Sequence, residues 1–248
     1  MSISDPLFLA IVFGSYFLGS MVKGVTGFGA MLIAVPIMSL AVPPAVAISL
    51  TSGPVVASNL WQFIESREGK RITKQFYPVI ITMIPGSFIG SWFLAKGDAS
   101  WTAGAIGIMV VLFCLTYFSP LKFSFSTEQQ KWSGPIVGIL SGLINGATLL
   151  AGSVLIAYLT TLQLSKNLFV GTIALLYLAG SIPVYMTLSF YGHYTTQEVI
   201  ISVALIFVAF LALRIGKFVR DRVSQIVFQR IVILLLFCIG VGLIARTF

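Results

Sequence analysis

Long apolar runs follow one another along the chain, with only short polar stretches between them. Six of these runs are close to the length of one bilayer-spanning helix, about 17–25 residues. They are residues 45–64, 76–95, 101–118, 168–190, 198–213 and 228–245. Runs of this length with few charges are typical of transmembrane helices, so the pattern predicts an all-α, polytopic integral membrane protein.

Two further apolar stretches, 7–40 and 135–162, are interrupted near their middles by glycine, serine, threonine and asparagine. Glycine clusters loosen a helix, and in a membrane such a break persists only where it lines protein or a wet cavity. Each stretch is therefore predicted to be a broken helical hairpin. Divided equally, its legs would be about 25 Å long at most, slightly less than a hydrocarbon core of about 30 Å. Full crossing and re-entrant legs both remain open.

The order of the segments predicts two repeats of a hairpin followed by three spans, eight to ten segments in all. The first repeat is 1–120 and the second is 134–248. A shift of 122 residues places Gly24 on Gly146, Thr26 on Thr148 and Lys23 on Asn145. An odd number of spans between related units inverts the second, an arrangement common in secondary transporters.

Composition and charge support this topology. The 248 residues are 58% hydrophobic and 9% charged, and the net charge is +8. The basic residues lie between apolar runs, four in 65–74 and five in 214–230, and do not form a stripe that would bind nucleic acid. The positive-inside rule makes both segments cytoplasmic and places both termini outside the cell inner (plasma) membrane.

The run GVTGFGAMLIAVP at 24–36, the Pro43-Pro44 turn and the helix ending NLWQ at 59–62 resemble the TauE/SafE sulfite exporter family, also called the sulfonate permease family. The resemblance extends over the whole chain. It implies a membrane transporter whose partners are lipid and a small anion, a sulfur oxyanion or sulfonate. The second hairpin is a diluted version of the motif, with Ala151-Gly152-Ser153 in place of a longer glycine run.

Lys23 is the first candidate for a substrate contact, because an ionisable group at membrane depth is costly and indicates function. A helix starting just after the break would add free N–H groups and a positive dipole end. Snorkelling of Lys23 to the interface is the alternative, and close helix packing is the alternative for the small residues. The candidate substrate-binding residues are Lys23, Gly24, Thr26, Gly27, Gly29, Ser52, Asn59, Asn145, Gly146, Thr148, Gly152 and Ser153.

These residues predict an anion site near the midplane, between two hairpin tips that meet there. Lys23 and the amides would supply one half, and the neutral donors of Asn145, Thr148 and Ser153 the other. Ser52 and Asn59 are seven residues apart, so they share a helix face that could line the route.

The chain offers little for catalysis. Cys114 and Cys238 lie within apolar runs and the single histidine, His193, in a loop, so we expect no catalytic residue, metal or cofactor. All seven acids lie at segment ends or in loops, which disfavours proton coupling and favours export of an anion down the membrane potential. The alternatives are an uptake permease for a sulfonate or carboxylate, and a non-transporting structural membrane subunit.

Overall fold

The computed structural model describes residues 5–117, 127–220 and 225–247, and in these ranges every regular element is an α-helix. The helices are α1 (Pro6–Thr26), α2 (Ala30–Ser39), α3 (Pro44–Leu50), α4 (Ser52–Ser66), α5 (Gly69–Lys96), α6 (Ala99–Tyr117), α7 (Thr127–Thr148), α8 (Gly152–Thr161), α9 (Lys166–Phe190), α10 (Thr196–Arg220) and α11 (Gln225–Ala245).

Length and composition suit several of these helices to a bilayer. In the described ranges α1, α5, α9 and most of α10 are long and apolar enough to span a membrane. Large apolar side chains on their surfaces are exposed, among them Phe190 at 84% and Phe207 at 75%. Such surfaces suit lipid rather than water. The predicted all-α, polytopic membrane class is confirmed.

Both interrupted stretches contain the predicted break. The first stretch forms α1 and α2 with 27–29 between them, and the second forms α7 and α8 with 149–151 between them. The expectation of equal legs was wrong. In each hairpin the helix before the break is the longer one, with 21 residues in α1 and 22 in α7, and the helix after it has 10. The longer legs are therefore about 32 Å long and the shorter legs about 15 Å. Each break lies near the end of a full-length helix.

The segment 45–64 also differs from its prediction as one span. It consists of α3 and α4, separated at Thr51, whose N–H donates to the carbonyl oxygen of Ile48. Gly53 and Pro54 follow in the first turn of α4. The other five predicted spans are each a single helix, longer by one to several residues at most ends.

The chain divides into two compact units, and each unit takes helices from both predicted repeats. One comprises residues 1–54, 97–119 and 193–248, hence α1–α3, the start of α4, α6, α10 and α11. The other comprises 55–96 and 120–192, hence the rest of α4 with α5, α7, α8 and α9. We call them the first unit and the second unit. The repeats 1–120 and 134–248 remain a prediction about the sequence, distinct from these units.

Glycines bring helices into backbone contact within each unit. In the first unit, a Cβ at Gly24 of α1 would lie 2.5 Å from the carbonyl oxygen of Leu213 and 2.9 Å from Cα of Gly216, both in α10. In the second unit α5 packs against α7 through glycines spaced four residues apart, a stripe that permits close helix approach in lipid. These glycines are Gly86 and Gly90 in α5 and Gly138, Gly142 and Gly146 in α7.

Candidate functional site

The break between α1 and α2 is built from two glycines and one threonine. Gly27 has φ 91° and Gly29 has φ 95°, in the left-handed region that favours glycine. The N–H of Gly27 donates to the carbonyl oxygen of Lys23 at 2.7 Å. The hydroxyl of Thr26 donates to the carbonyl oxygen of Phe28 at 2.6 Å and lies 3.0 Å from that of Val22, and it accepts from the N–H of Phe28 at 3.3 Å.

The break between α7 and α8 repeats most of these bonds 122 residues later. The N–H of Leu149, at φ 59°, donates to the carbonyl oxygen of Asn145 at 2.8 Å. The hydroxyl of Thr148 donates to the carbonyl oxygen of Ile144 at 2.7 Å and accepts from the N–H of Leu150 at 3.2 Å. The shift that aligns the two sequences therefore also aligns the backbone hydrogen bonds of the two breaks.

The same shift pairs Lys23 with Asn145, and both are buried in the last turn of their helices. Lys23 is 5% exposed and Asn145 is 0% exposed. Neither polar atom of the Asn145 side chain has a hydrogen-bond partner among the described residues. A Cβ at Gly180 of α9 would lie 2.8 Å from Nδ2 of Asn145, so the amide of Asn145 lies directly against the backbone of α9.

The helices that follow the breaks present their N-termini without side-chain caps. Gly29 precedes α2 and Ala151 precedes α8, and neither makes a side-chain capping bond. A cavity of about 30 Å³ adjoins the first break, with Thr26, Gly29 and apolar side chains in its wall. It has room for one or two waters.

Several candidate residues have a structural task at the helix contacts and in the breaks. Gly24 and Gly146 sit at close helix contacts, and a methyl group at Gly152 would overlap the hydroxyl of Tyr177. The hydroxyls of Thr26 and Thr148 are engaged with the backbone of the breaks. These geometries favour close packing and turn formation for the four residues Gly24, Gly146, Thr26 and Thr148. The side chain of Ser153 lies outside the described residues.

Ser52 and Asn59 belong to different units. In the first unit Oγ of Ser202 lies 3.1 Å from Oγ of Ser52 and accepts from the N–H of Gly53 at 2.8 Å, so α10 holds the start of α4 in place. In the second unit Nδ2 of Asn59 donates to the carbonyl oxygen of Val55 at 2.9 Å, and the side chain is 4% exposed.

A comparison with protein families identifies the family of this chain. The family model described as sulfite exporter TauE/SafE matches residues 12–243, which include both breaks. The chain belongs to the TauE/SafE sulfite exporter family. No curated protein and no solved structure matches it. Membership of TauE/SafE, a transporter family, and the apolar helices together identify a multi-pass membrane transporter.

In this TauE/SafE chain, the second unit contains polar side chains that the sequence pattern did not single out. Ser87, Ser141, Thr172 and Ser181 are each at most 1% exposed, and their hydroxyls have no partner in the described part of the chain. The sequence did not mark these residues as functional, because a serine or threonine within an apolar run is common at ordinary helix contacts. Ser141 could have been found, since it precedes Asn145 by one helical turn on the same face. Over the described ranges no three His, Cys, Asp or Glu side chains group as metal ligands.

Proposed function

We propose that this protein exports a small sulfur oxyanion or organosulfonate across the cell inner membrane, with Lys23 as its charged substrate contact. The observation that carries the proposal is the equivalence of the two breaks. Their backbone bonds coincide at a shift of 122 residues, and the paired positions hold a buried lysine and a buried asparagine. Family membership supports the transport of a sulfur anion.

Each break supplies a different kind of group to an anion. Lys23 would balance the negative charge, and the uncapped N-terminus of α2 would add N–H donors and the positive end of a helix dipole. Asn145 would donate two hydrogen bonds without adding charge. That one substrate contacts both residues remains a prediction from the sequence.

Outward transport is the direction that needs the least coupling. A monovalent anion leaving a cell gains about 2.3 kcal/mol per 100 mV of membrane potential. Export could therefore proceed without a coupled ion. In reconstituted vesicles, sulfite efflux should then rise with an inside-negative potential, and efflux that ignores the potential would contradict this part of the proposal.

The decisive variant is Lys23→Met, assayed as sulfite efflux from proteoliposomes beside the wild type. Loss of a hydrogen bond to a charged group costs about 1.5–3 kcal/mol, so we expect a loss of roughly tenfold to a hundredfold in flux. The matched control is Lys96→Met, the same chemical change at an exposed lysine that lies over the rings of Trp92 and Tyr191. Wild-type flux in Lys23→Met, with monodisperse protein, would remove Lys23 from the substrate path.

A further inference from the structure

The second unit contains a group of buried polar side chains that no hydrogen bond accounts for. We propose that Ser87, Ser141, Asn145 and Ser181, here called the polar cluster, bind the oxygens of a singly charged oxyanion such as hydrogen sulfite or an organosulfonate. This inference rests on the proposed transport function, and it assigns substrate contacts and a charge class to it.

Burial without partners is the first argument. The members of the polar cluster are 0%, 0%, 0% and 1% exposed in the order given. The hydroxyl oxygens of the three serines and both polar atoms of the Asn145 amide lack a partner within the described residues. Buried polar groups in proteins are almost always hydrogen-bonded, because leaving them unpaired is destabilising. A group of four on adjoining helices indicates a site whose partners come with a ligand.

The helix contacts bring the cluster together around Gly180 of α9. Nδ2 of Asn145 and Cε of Met83 both lie against the position that a Cβ of Gly180 would occupy. Ser87 follows Met83 by one turn of α5, and Ser141 precedes Asn145 by one turn of α7. The amide of Asn145 and the methyl group of Met83 therefore occupy the space that a side chain at Gly180 would take, which places the amide against α9.

A second set of contacts places Ser87 beside Asn145 along the helices. A Cβ at Gly142 would lie 2.9 Å from the backbone nitrogen of Ser87, and a Cβ at Gly146 would touch its carbonyl oxygen. Ser87 is therefore level with the turn of α7 that contains Asn145. One turn further on, Ser91 of α5 donates to the hydroxyl of Thr187 in α9 at 2.8 Å, so this face of α5 follows α9.

The chemistry of the cluster selects an acceptor-rich ligand of low charge. An asparagine amide provides two donors and each serine hydroxyl one, which suits the several oxygens of a sulfonate or sulfite. No charged side chain is buried among the described residues of the second unit, and Lys23 is the buried cation of the first unit. Because the cost of removing an ion from water rises with the square of its charge, neutral donors favour a monovalent anion over a divalent one.

Thr172 has a buried hydroxyl that lies away from the polar cluster, so it provides a control. Its hydroxyl is also buried and lacks a partner among the described residues. It precedes Gly180 by eight residues, about 12 Å along α9, and its neighbour Gly171 packs against Ser66 and Ile72. Thr172→Val removes a buried hydroxyl of the same kind, at the same shape, away from the cluster.

The test measures uptake of radiolabelled methanesulfonate by counterflow in proteoliposomes, with unlabelled methanesulfonate or sulfate as competitor. We expect Asn145→Leu to raise the apparent KM for methanesulfonate by about tenfold or more, the effect of losing a hydrogen bond to an anion. The double variant Ser87→Ala/Ser141→Ala should raise the KM in the same direction, and Thr172→Val should leave it unchanged. Methanesulfonate should compete better than sulfate in the wild type.

The outcomes separate this inference from the proposed function. An unchanged KM in Asn145→Leu, with active wild type, would overturn the polar cluster as a site and leave the transport proposal standing. If Asn145→Leu does not fold, an unchanged KM in the double serine variant overturns the cluster in its place. Stronger competition by sulfate would overturn the charge class. A wild type that moves neither methanesulfonate nor sulfite would instead overturn the transport proposal itself.

Discussion

The two helix breaks share most of their hydrogen bonds but differ in their side chains. The hydroxyls of Thr26 and Thr148 each approach the carbonyl oxygen four residues back and accept from the second N–H after them, and each following helix has ten residues. The hydroxyl of Thr26 also donates forward, to the carbonyl oxygen of Phe28 at 2.6 Å. At the paired positions before them, one break has Lys23 and the other has Asn145. Backbone geometry thus sets where the two breaks lie, and the side chains decide what each can bind.

The breaks also differ in how the backbone reaches its turn. The first uses glycine twice at positive φ, at Gly27 and Gly29. The second has Leu149 at φ 59° and Ala151 at φ −62°, a helical conformation. Glycine is therefore required where φ is near 95°, whereas the second break keeps the side chains of Leu149 and Ala151, both at most 1% exposed. The turn of the first break therefore depends on glycine, and that of the second depends on the packing of buried side chains.

The largest effect should come from the glycines that seat the two breaks against their neighbouring helices. Leucine at Gly24 or at Gly146 would drive a side chain into the backbone of α10 or α5, since a Cβ at Gly146 would already lie 2.6 Å from the nitrogen of Ser91. We expect the free energy of unfolding to fall by more than about 3 kcal/mol in each variant, the upper end for over-packing. Neither variant should then elute as monodisperse protein in size-exclusion chromatography.

The control for that experiment is Gly14→Leu, in the same helix as Gly24 but with nothing within 4 Å of a Cβ. It should give monodisperse protein. If Gly24→Leu folds while Gly146→Leu does not, the two breaks are not held in the same way, and the structural equivalence would be limited to their hydrogen bonds.

The sequence predicted the breaks because their cause is local. Glycine at 27 and 29 and the polar residues after Gly146 act on the adjacent backbone, so their effect could be located from composition alone. The unequal legs were missed for two reasons. The first break, at 27–29, lies beyond the middle of the stretch 7–40, and α7 begins at Thr127, eight polar-rich residues before the apolar stretch 135–162.

The polar cluster was missed for a different reason. Whether the hydroxyls of Ser87 and Ser141 find partners depends on which helix each faces, and α5 and α7 come from different sequence repeats. Glycines at every fourth residue in both helices permit close packing against another helix. Their spacing did not say that they pack against one another, and this pairing is what buries the cluster.

A smaller effect should separate backbone strain from steric overlap at the first break. At Gly29 the nearest atoms to a Cβ would be 3.9 Å away, so the added methyl group of Gly29→Ala meets no steric obstruction. The remaining cost is the conformational free energy of holding an alanine at φ 95°. For a residue with a Cβ that cost is about 1–2 kcal/mol. We expect a fall of that size in the free energy of unfolding, measured by SDS titration of the protein in mixed micelles.

Gly242→Ala is the matched control, because a Cβ added at Gly242 would also meet open space and the φ of Gly242 is not positive. In a helix this change should be neutral or stabilising by up to about 1 kcal/mol. Equal stability of Gly29→Ala and Gly242→Ala would show that the first break tolerates a side chain, and the contrast with Ala151 in the second break would then disappear.

The smallest effect should come from the two threonines, and it tests whether the breaks share one structural task. Thr26→Val and Thr148→Val remove the hydroxyl that accepts from the N–H of Phe28 or Leu150 and retain the shape of the side chain. Thr148→Val should lower the free energy of unfolding by about 1 kcal/mol, the usual contribution of such a bond. Thr26→Val should lower it by at least as much, because its hydroxyl also donates to the carbonyl oxygen of Phe28. The KM for sulfite should be unchanged in both. Thr73→Val is the control, since its hydroxyl bonds only to a carbonyl within α5. A raised KM in Thr148→Val alone would make Thr148 a substrate contact, because a hydroxyl that only holds the backbone affects stability and not the KM.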